Sequence, residues 1–260
     1  MTDGGSSDGT DASTHEPDGA APWDPSLLPG LALWLDGTSG LSQGNGGTLT
    51  WLDRSGHQNR AVSVGTPTID PAAIGGKPAV HLNGSTDYLV VQDSPSLQFG
   101  TDDFAIAVVA AHTTPGTGQW GYGLLFTKQV LATAPYYGPC IAANSVDRSG
   151  ALFAQVANVS PSWIQTTETN FNNGQPFFVV VRRIGGNTLS LRVNGHDGAS
   201  ATGAGYALDV SASGYPLRIG GTDKQQDVLG DIAEVIAMQG SLSAPDLATL
   251  EGYFAAKYGL

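Results

Sequence analysis

The carboxylates of this chain are the residues that could carry the most demanding chemistry. Hydrolysis of a glycosidic bond needs two of them, about 5 Å apart in a retaining enzyme and somewhat further apart in an inverting one. On a strand such a pair needs even spacing, because side chains alternate between faces with period two. The chain has four glutamates, Glu16, Glu168, Glu234 and Glu251. Asp231 precedes Glu234 by three positions, so a regular strand would turn these two apart, and a retaining glycosidase is disfavoured.

Other catalytic signatures are weaker. Residues 116–121 match G-x-G-x-x-G, but no predicted helix follows them and no parallel unit surrounds them, so phosphate binding is disfavoured. The chain contains no H-E-x-x-H, and no G-x-S-x-G occurs at the strand-to-helix turn of a nucleophile elbow. Cys140 is the single cysteine, so an intramolecular disulfide is excluded, and we interpret it as a small buried hydrophobe. A Ser-His-Asp set assembled in space stays open.

An oxygen-rich loop, D-R-S-G-H-Q-N, follows the apolar pair Trp51-Leu52. Calcium prefers six to eight oxygen ligands, and the side chains of Asp53 and Asn59 together with backbone carbonyls could supply several of them. Alternatively, these two side chains only close the turn by hydrogen bonds to the loop's own backbone. The residues alone leave both interpretations open.

Five aromatic side chains occupy Gly- and Pro-rich segments that are typical of loops. They are Trp120, Tyr122, Tyr136, Tyr137 and Trp163. Sugar recognition uses flat aromatic faces against pyranose C–H surfaces together with planar polar partners. Each ring could instead fold down as cover for the core. As a group they mark the predicted ligand-binding rim, since function on β scaffolds is concentrated in loops.

Short apolar runs separated by Gly, Asn, Pro and Asp predict the strands that must position these residues. The predicted strands are 32–35, 79–82, 88–91, 105–111, 123–127, 151–156, 177–183, 188–193, 217–219 and 232–238. The turn Gly185-Gly186-Asn187 predicts a hairpin between two of them. Near the end, Ser243, Pro245 and Asp246 predict the start of one helix. Many strands without βαβ alternation indicate an all-β, two-sheet antiparallel sandwich.

Charge and composition bound the partners. The chain has 260 residues and a formal net charge of −12, which repels nucleic acid and anionic lipid. No apolar run is long enough to predict a transmembrane segment. Residues 1–26 are rich in Gly, Ser and Asp and predict a disordered acidic tether. Such a tether is expected to follow a secretion signal and a lipid anchor, with Met1 standing in their place, and an ordinary flexible terminus is the alternative.

Three segments carry a resemblance to a known family. They are G-L-A-L-W-L-D with W-L-D-R-S-G-H-Q-N-R-A, then K-P-A-V-H-L-N-G-S-T-D-Y-L-V-V, and G-D-I-A-E-V-I-A-M-Q-G-S-L-S with the helix that ends A-A-K-Y-G-L. Together they resemble the laminin-G-like, concanavalin A-like jelly-roll domains of secreted bacterial proteins. The resemblance implies a jelly-roll sandwich over residues 27–260 with a short C-terminal helix.

The resemblance also implies a structural calcium, with the oxygen-rich loop meeting the last strand. The imidazole of His57 is a poor calcium ligand, so that residue would offer its carbonyl oxygen. The implied ligand set is Asp53, His57 and Asn59 with Asp231 or Glu234. The expected function is a non-catalytic extracellular or cell-surface module that binds a glycan or a surface protein. A glycoside hydrolase or polysaccharide lyase on the same fold, and a structural module without a small ligand, are the alternatives.

Overall fold

The computed structural model describes residues 23–115, 123–144, 149–158 and 162–260. Within these ranges the chain forms seventeen strands, one α-helix and three short 3₁₀ helices, Pro25–Leu27, Pro95–Leu97 and Ala204–Tyr206. The strands form two antiparallel sheets. The predicted all-β, two-sheet sandwich with a C-terminal helix is therefore confirmed.

Sheet A contains eight strands. They are β1 (Leu31–Asp36), β5 (Thr68–Ile74), β6 (Lys77–Asn83), β8 (Phe104–His112), β13 (Phe177–Ile184), β14 (Thr188–Val193), β15 (His196–Thr202) and β17 (Leu229–Gln239). Their order is β15-β14-β13-β8-β17-β6-β5. Strand β17 has eleven residues, long enough to pair with β8 along one side while β6 and then β1 pair with it on the other.

Sheet B contains nine strands. They are β2 (Leu41–Gln43), β3 (Leu49–Trp51), β4 (Ala61–Val64), β7 (Tyr88–Val91), β9 (Leu124–Thr127), β10 (Cys140–Ala142), β11 (Phe153–Gln155), β12 (Trp163–Gln165) and β16 (Leu217–Ile219). Their order is β12-β11-β10-β9-β16-β7-β4-β3-β2. Every pairing in the sheet is antiparallel.

The two sheets pack face to face over one apolar core, which includes Leu33, Trp51, Phe126 and Val179. A second apolar cluster covers the opposite face of sheet A, where Phe254 and Leu250 of helix α1 (Ala244–Tyr258) pack. Sheet A is therefore buried on both faces. This explains why β8 is an uninterrupted run of nine buried residues rather than an alternating one.

Helix α1 begins where its sequence predicts. The Ser243 hydroxyl caps it by accepting a hydrogen bond from the Asp246 amide at 3.2 Å, and Gly259 ends it in the left-handed conformation at φ 73°. The hairpin between β13 and β14 also forms at the predicted turn, with Ile184 opposite Thr188. No described helix could span a membrane, since the α-helix has only fifteen residues.

Two details differ from the sequence expectations. The predicted tether extends to residue 26, but the Trp23 ring packs edge-on against Tyr253, with ring centroids 5.6 Å apart, and Asp24 caps the first 3₁₀ helix. Residues 1–22 of the predicted tether lie outside the described ranges. In β17, a register shift between Ile232 and Glu234 inserts one extra residue.

The bulge in β17 changes which residues share a face. A regular strand would turn Asp231 and Glu234 apart, but the extra residue, Ala233, places Glu234 on the helix-covered face. Asp231 lies on that same face, where it pairs with His81. The expectation of opposite faces was therefore wrong, because it assumed a regular strand.

Candidate functional site

A single row of directly paired residues crosses the outer face of sheet B, with one residue from each strand. In order it consists of Ser42, Thr50, Val62, Val90, Arg218, Thr127, Cys140, Gln155 and Trp163. The neighbours of these residues along their strands, such as Trp51, Phe126 and Ile164, point into the core. Because side chains alternate along a strand, the row faces outward. Trp163 ends it at the edge of the sheet.

The Trp163 side chain forms an exposed aromatic surface at this edge. Its ring stacks on Phe153 of the neighbouring strand, with centroids 5.7 Å apart and planes inclined by 29°. Trp163 nevertheless stays 40% exposed. Phe153 packs in turn on a small buried cluster of Leu124, Cys140 and Ala142. The indole is thus held in place by packing on one side and accessible to solvent.

Two glutamine side chains flank the stacked rings. Gln155 lies directly opposite Trp163, and Gln165 lies directly opposite Phe153. Both are half-buried. The Oε1 atom of Gln165 is buried and has no hydrogen-bond partner among the described residues. Planar amides beside a flat ring provide the donors and acceptors that hydroxyl-bearing ligands need.

The loop between β9 and β10 brings Tyr137 to the same end of sheet B. The Tyr137 carbonyl accepts from the amide of Val130, and the Gly138 amide donates to the Val156 carbonyl, both at 2.9 Å. Gly138 has φ 132°, and a Cβ there would lie 2.2 Å from the Lys128 carbonyl oxygen. This close approach fixes the Tyr137 backbone. Tyr137 is 40% exposed.

Tyr137 and Trp163 are connected through strand β11. The Val156 amide donates to the Ser162 carbonyl at 3.0 Å, so the residue after Gln155 lies between the Tyr137 loop and the start of β12. Two strand spacings separate the backbones, roughly 10 Å. We define Tyr137, Phe153, Gln155, Trp163 and Gln165 as the aromatic platform.

Three of the five aromatic residues predicted for the rim lie within the described residues. Tyr137 and Trp163 belong to the platform, while Tyr136 is half-buried in a left-handed conformation at φ 56°. Trp120 and Tyr122 lie outside the described residues. Sequence reasoning missed Phe153, Gln155 and Gln165. Their alternation with buried Ala154 and Ile164 was the available signal, but only strand pairing shows that they flank Trp163.

The Asp53 carboxylate closes the oxygen-rich loop and also ties it to strand β1. The Oδ1 atom of Asp53 accepts from the amides of Trp34 at 3.0 Å and Ser55 at 2.9 Å. Its Oδ2 atom accepts from the Ser55 hydroxyl at 2.7 Å and the Asn59 amide at 2.9 Å. Four donors therefore satisfy this carboxylate: three belong to the loop, as the turn interpretation expects, and one belongs to strand β1.

Asn59 and His57 complete the loop in different ways. The buried Asn59 amide group donates to the Ala32 carbonyl and to Ser96, and its oxygen accepts from Ser94. These partners lie outside the loop, so the Asn59 side chain does not make the turn bonds expected of it. His57 is exposed. The described residues hold no cluster of three or more His, Cys, Asp or Glu side chains that could bind a metal. A calcium ion would have to displace existing hydrogen bonds here, and its binding stays a prediction.

The two carboxylates of β17 that were predicted as metal ligands have other partners. Asp231 Oδ1 lies 2.9 Å from His81 Nδ1 on the exposed part of the face. Glu234 is fully buried and accepts from Trp34 Nε1 at 2.7 Å, Lys257 Nζ at 2.8 Å and the Tyr258 hydroxyl at 2.8 Å. Burial raises the pKa of Glu234, and the nearby Lys257 ammonium opposes that rise.

No protein-family profile and no curated protein matches this chain. Among solved structures, the binding domain of Paraclostridial Mosquitocidal Protein 1 has a TM-score of 0.65 at 14% identity, over 86% of this chain and 52% of that one. A structure of botulinum neurotoxin type C, whose cell entry depends on interaction with two ganglioside molecules, has a TM-score of 0.60 at 12% identity, over 86% and 51%. The chain has the β-sandwich fold of these proteins.

A third structure matches over nearly its whole length. Domain 4 of AbnA, an extracellular arabinanase of family GH43 from Geobacillus stearothermophilus, in complex with arabinotriose, has a TM-score of 0.58 at 15% identity. The alignment covers 85% of this chain and 98% of that domain. The chain spans about half the length of the toxin structures. At these identities the likeness establishes the fold alone, and membership of the laminin-G-like family stays a prediction.

Proposed function

We propose that this protein is a non-catalytic carbohydrate-binding module that binds its glycan on the aromatic platform. One observation carries the proposal: Trp163 stacks on Phe153 yet stays 40% exposed, with the Gln155 amide directly opposite on the next strand. Among the described residues, Trp163 and Tyr137 are the large aromatic side chains that remain exposed.

The platform suits a sugar for physical reasons. An exposed indole presents an apolar face that can cover the C–H surface of a sugar ring. Because Trp163 lies in a paired strand, its backbone loses little conformational entropy when a ligand binds. The amides of Gln155 and Gln165 can both donate to and accept from hydroxyls. None of the five platform residues is charged, so a neutral saccharide fits better than an acidic one.

The structural neighbours support a binding role over a catalytic one. One of them holds arabinotriose and another interacts with gangliosides. The carboxylates of Asp231 and Glu234 lie on sheet A, away from the platform, where they pair with His81 and Lys257. An extracellular or cell-surface location, with a glycan or glycosylated surface protein as partner, belongs to the same proposal.

Calorimetric titration with arabinotriose and a panel of neutral oligosaccharides tests the proposal. The Trp163→Ala variant should weaken binding of the recognised saccharide at least tenfold, since aromatic anchors dominate such contacts. Trp163→Phe should retain part of the affinity. Trp23→Ala is the matched control, because Trp23 packs on helix α1 beyond the other sheet. Equal binding by wild-type protein and Trp163→Ala, or no binding to any neutral glycan, would refute the platform.

A further inference from the structure

A concave surface lies on the outer face of sheet B, apart from the platform. It is a groove of about 610 Å³, within the range of small-ligand sites. Val62, Val64 and Val90 form its floor, and its rim consists of residues 57–60 and 92–94. Val90 and Trp163 are five strand spacings apart in the transverse row, roughly 24 Å.

The groove and the platform are separate surfaces. Between them in the row lie Thr127, which is fully buried, and Cys140, which is 2% exposed. Neighbouring loops therefore cover the middle of the row. A ligand in the groove does not need the platform, and substitutions in one site should leave the other intact.

The rim of the groove carries an uncompensated positive charge. Arg60 is exposed, and it has neither an ion pair nor a side-chain hydrogen bond with any described residue. The remaining exposed polar residues of the rim are His57, Gln58 and Gln92. The Arg60 guanidinium is unpaired among the described residues, although the formal net charge of the chain is −12. It offers a planar fork of donors to a carboxylate.

Asp93, the acidic residue that lines the groove, is neutralised by the buried ammonium of Lys128. Asp93 Oδ1 lies 2.9 Å from the ammonium of Lys128, whose side chain is fully buried. The other oxygen of Asp93 accepts from the Gly214 amide at 2.6 Å and from Gln98 at 3.0 Å. Burial acts to raise the pKa of Asp93, but the bond from Lys128 keeps it below its ordinary value.

The Lys128 ammonium is itself held in an oxygen cage. It donates to the carbonyls of Ala212 at 2.8 Å and Tyr215 at 2.6 Å as well as contacting Asp93. Asp93 is thus fixed toward this cage and its charge is balanced there. The charge that remains on the groove is that of Arg60.

We propose that this groove binds the acidic unit of a carboxylated saccharide. Arg60 pairs with the carboxylate, the valine floor takes the apolar side of the sugar ring, and Gln58 and Gln92 bond its hydroxyls. The choice of a saccharide over an acidic peptide rests on the function proposed above. The site itself is independent of the platform.

Titration with trigalacturonate, a carboxylated saccharide, tests this site. The wild-type protein should bind it, more weakly as salt rises, because an exposed ion pair is screened. Arg60→Gln should weaken binding at least tenfold, and Arg60→Lys less, because an ammonium keeps the charge without the fork. Lys77→Gln removes one positive charge from sheet A and is the matched control. Thermal unfolding verifies that each variant is folded.

The outcomes separate the two sites. Trigalacturonate binding that survives Trp163→Ala and Lys77→Gln but not Arg60→Gln supports the groove. No binding by the wild-type protein, or binding that Arg60→Gln leaves unchanged, overturns it. Equal binding of a polyglutamate peptide through Arg60 overturns the choice of a saccharide. Failure of the platform alone would abolish binding of neutral saccharides and leave these results unchanged.

Discussion

The ammonium of Lys257 lies 2.8 Å from Oε2 of Glu234 and joins the last turn of helix α1 to the longest strand of sheet A. The same ammonium lies 2.7 Å from Asp36 Oδ1, and Asp36 also pairs with Arg54 at 2.7 Å. Tyr253 donates to the second oxygen of Glu234 at 2.9 Å. Glu234, one of the predicted metal ligands, therefore helps to hold helix α1 on sheet A.

Removing this shared cation should be strongly destabilising. Lys257→Met leaves the carboxylates of Asp36 and Glu234, which are 3% and 0% exposed, without their ammonium. Breaking one side of a buried ion pair costs about 3–5 kcal/mol. We expect a loss of that order in the free energy of unfolding, measured by urea denaturation. Lys224→Met, at an exposed pair, should change it by less than about 0.5 kcal/mol. Similar losses in both variants would contradict the prediction.

His112 should make stability fall in mildly acidic solution. The ring is 1% exposed, and its Nδ1 accepts from the Thr114 amide at 3.2 Å. Burial lowers the pKa of His112 to about 4. The unfolded chain takes up this proton below about pH 6.5, whereas the folded protein stays neutral to about pH 4, so stability decreases as pH falls between these values.

The expected loss through His112 is about 3 kcal/mol over this interval. Other carboxyl groups titrate at the acid end, so the comparison must be with His112→Asn, which keeps an acceptor for Thr114. The difference in unfolding free energy between wild-type and variant protein should shrink as pH falls from 6.5 to 4. A difference that is constant with pH would show that His112 is not the titrating group.

Gly138 should matter for binding although it contacts no ligand. A Cβ at this residue would lie 2.2 Å from the Lys128 carbonyl oxygen, and its φ of 132° disfavours side chains. Gly138→Ala should displace the Tyr137 loop and reduce glycan affinity several-fold. Gly76→Ala is the control, since its φ of 69° is also left-handed but nothing lies within 4 Å of the added Cβ. Unchanged affinity in Gly138→Ala would show that the Tyr137 loop takes no part in binding.

Asp53 offers a test of the oxygen-rich loop and of calcium together. Asp53→Asn removes the charge from a group that accepts four hydrogen bonds, and we expect a loss of about 1–3 kcal/mol in unfolding free energy. Thermal unfolding with calcium and with a chelator then separates the two interpretations. A self-closed turn gives equal melting temperatures in both. A rise with calcium that Asp53→Asn abolishes would establish the metal.

Part of the platform could be predicted from the sequence, and part of it could not. Trp163 and Tyr137 were predicted as rim residues from their loop-like context, although Trp163 lies in strand β12. The partners of Trp163 depend on the register of β11 and β12, which pairs Gln155 with Trp163. Likewise, the polar strands β5 and β15 escaped prediction. They are the two edges of sheet A and have mostly exposed or half-buried residues, so they lack the apolar pattern on which strand prediction depends.

The sequence by itself determined the local features: the alternating strands, the hairpin at Gly185-Gly186-Asn187, and the helix capped by Ser243. These depend on residues within a few positions of one another, where backbone preference and side-chain period act directly. Only the tertiary structure decided the rest. Trp34 donates to Glu234 across 200 residues, and a one-residue bulge in β17 selects the face on which Glu234 lies. Such contacts form only when distant segments pack together, so no local pattern specifies them.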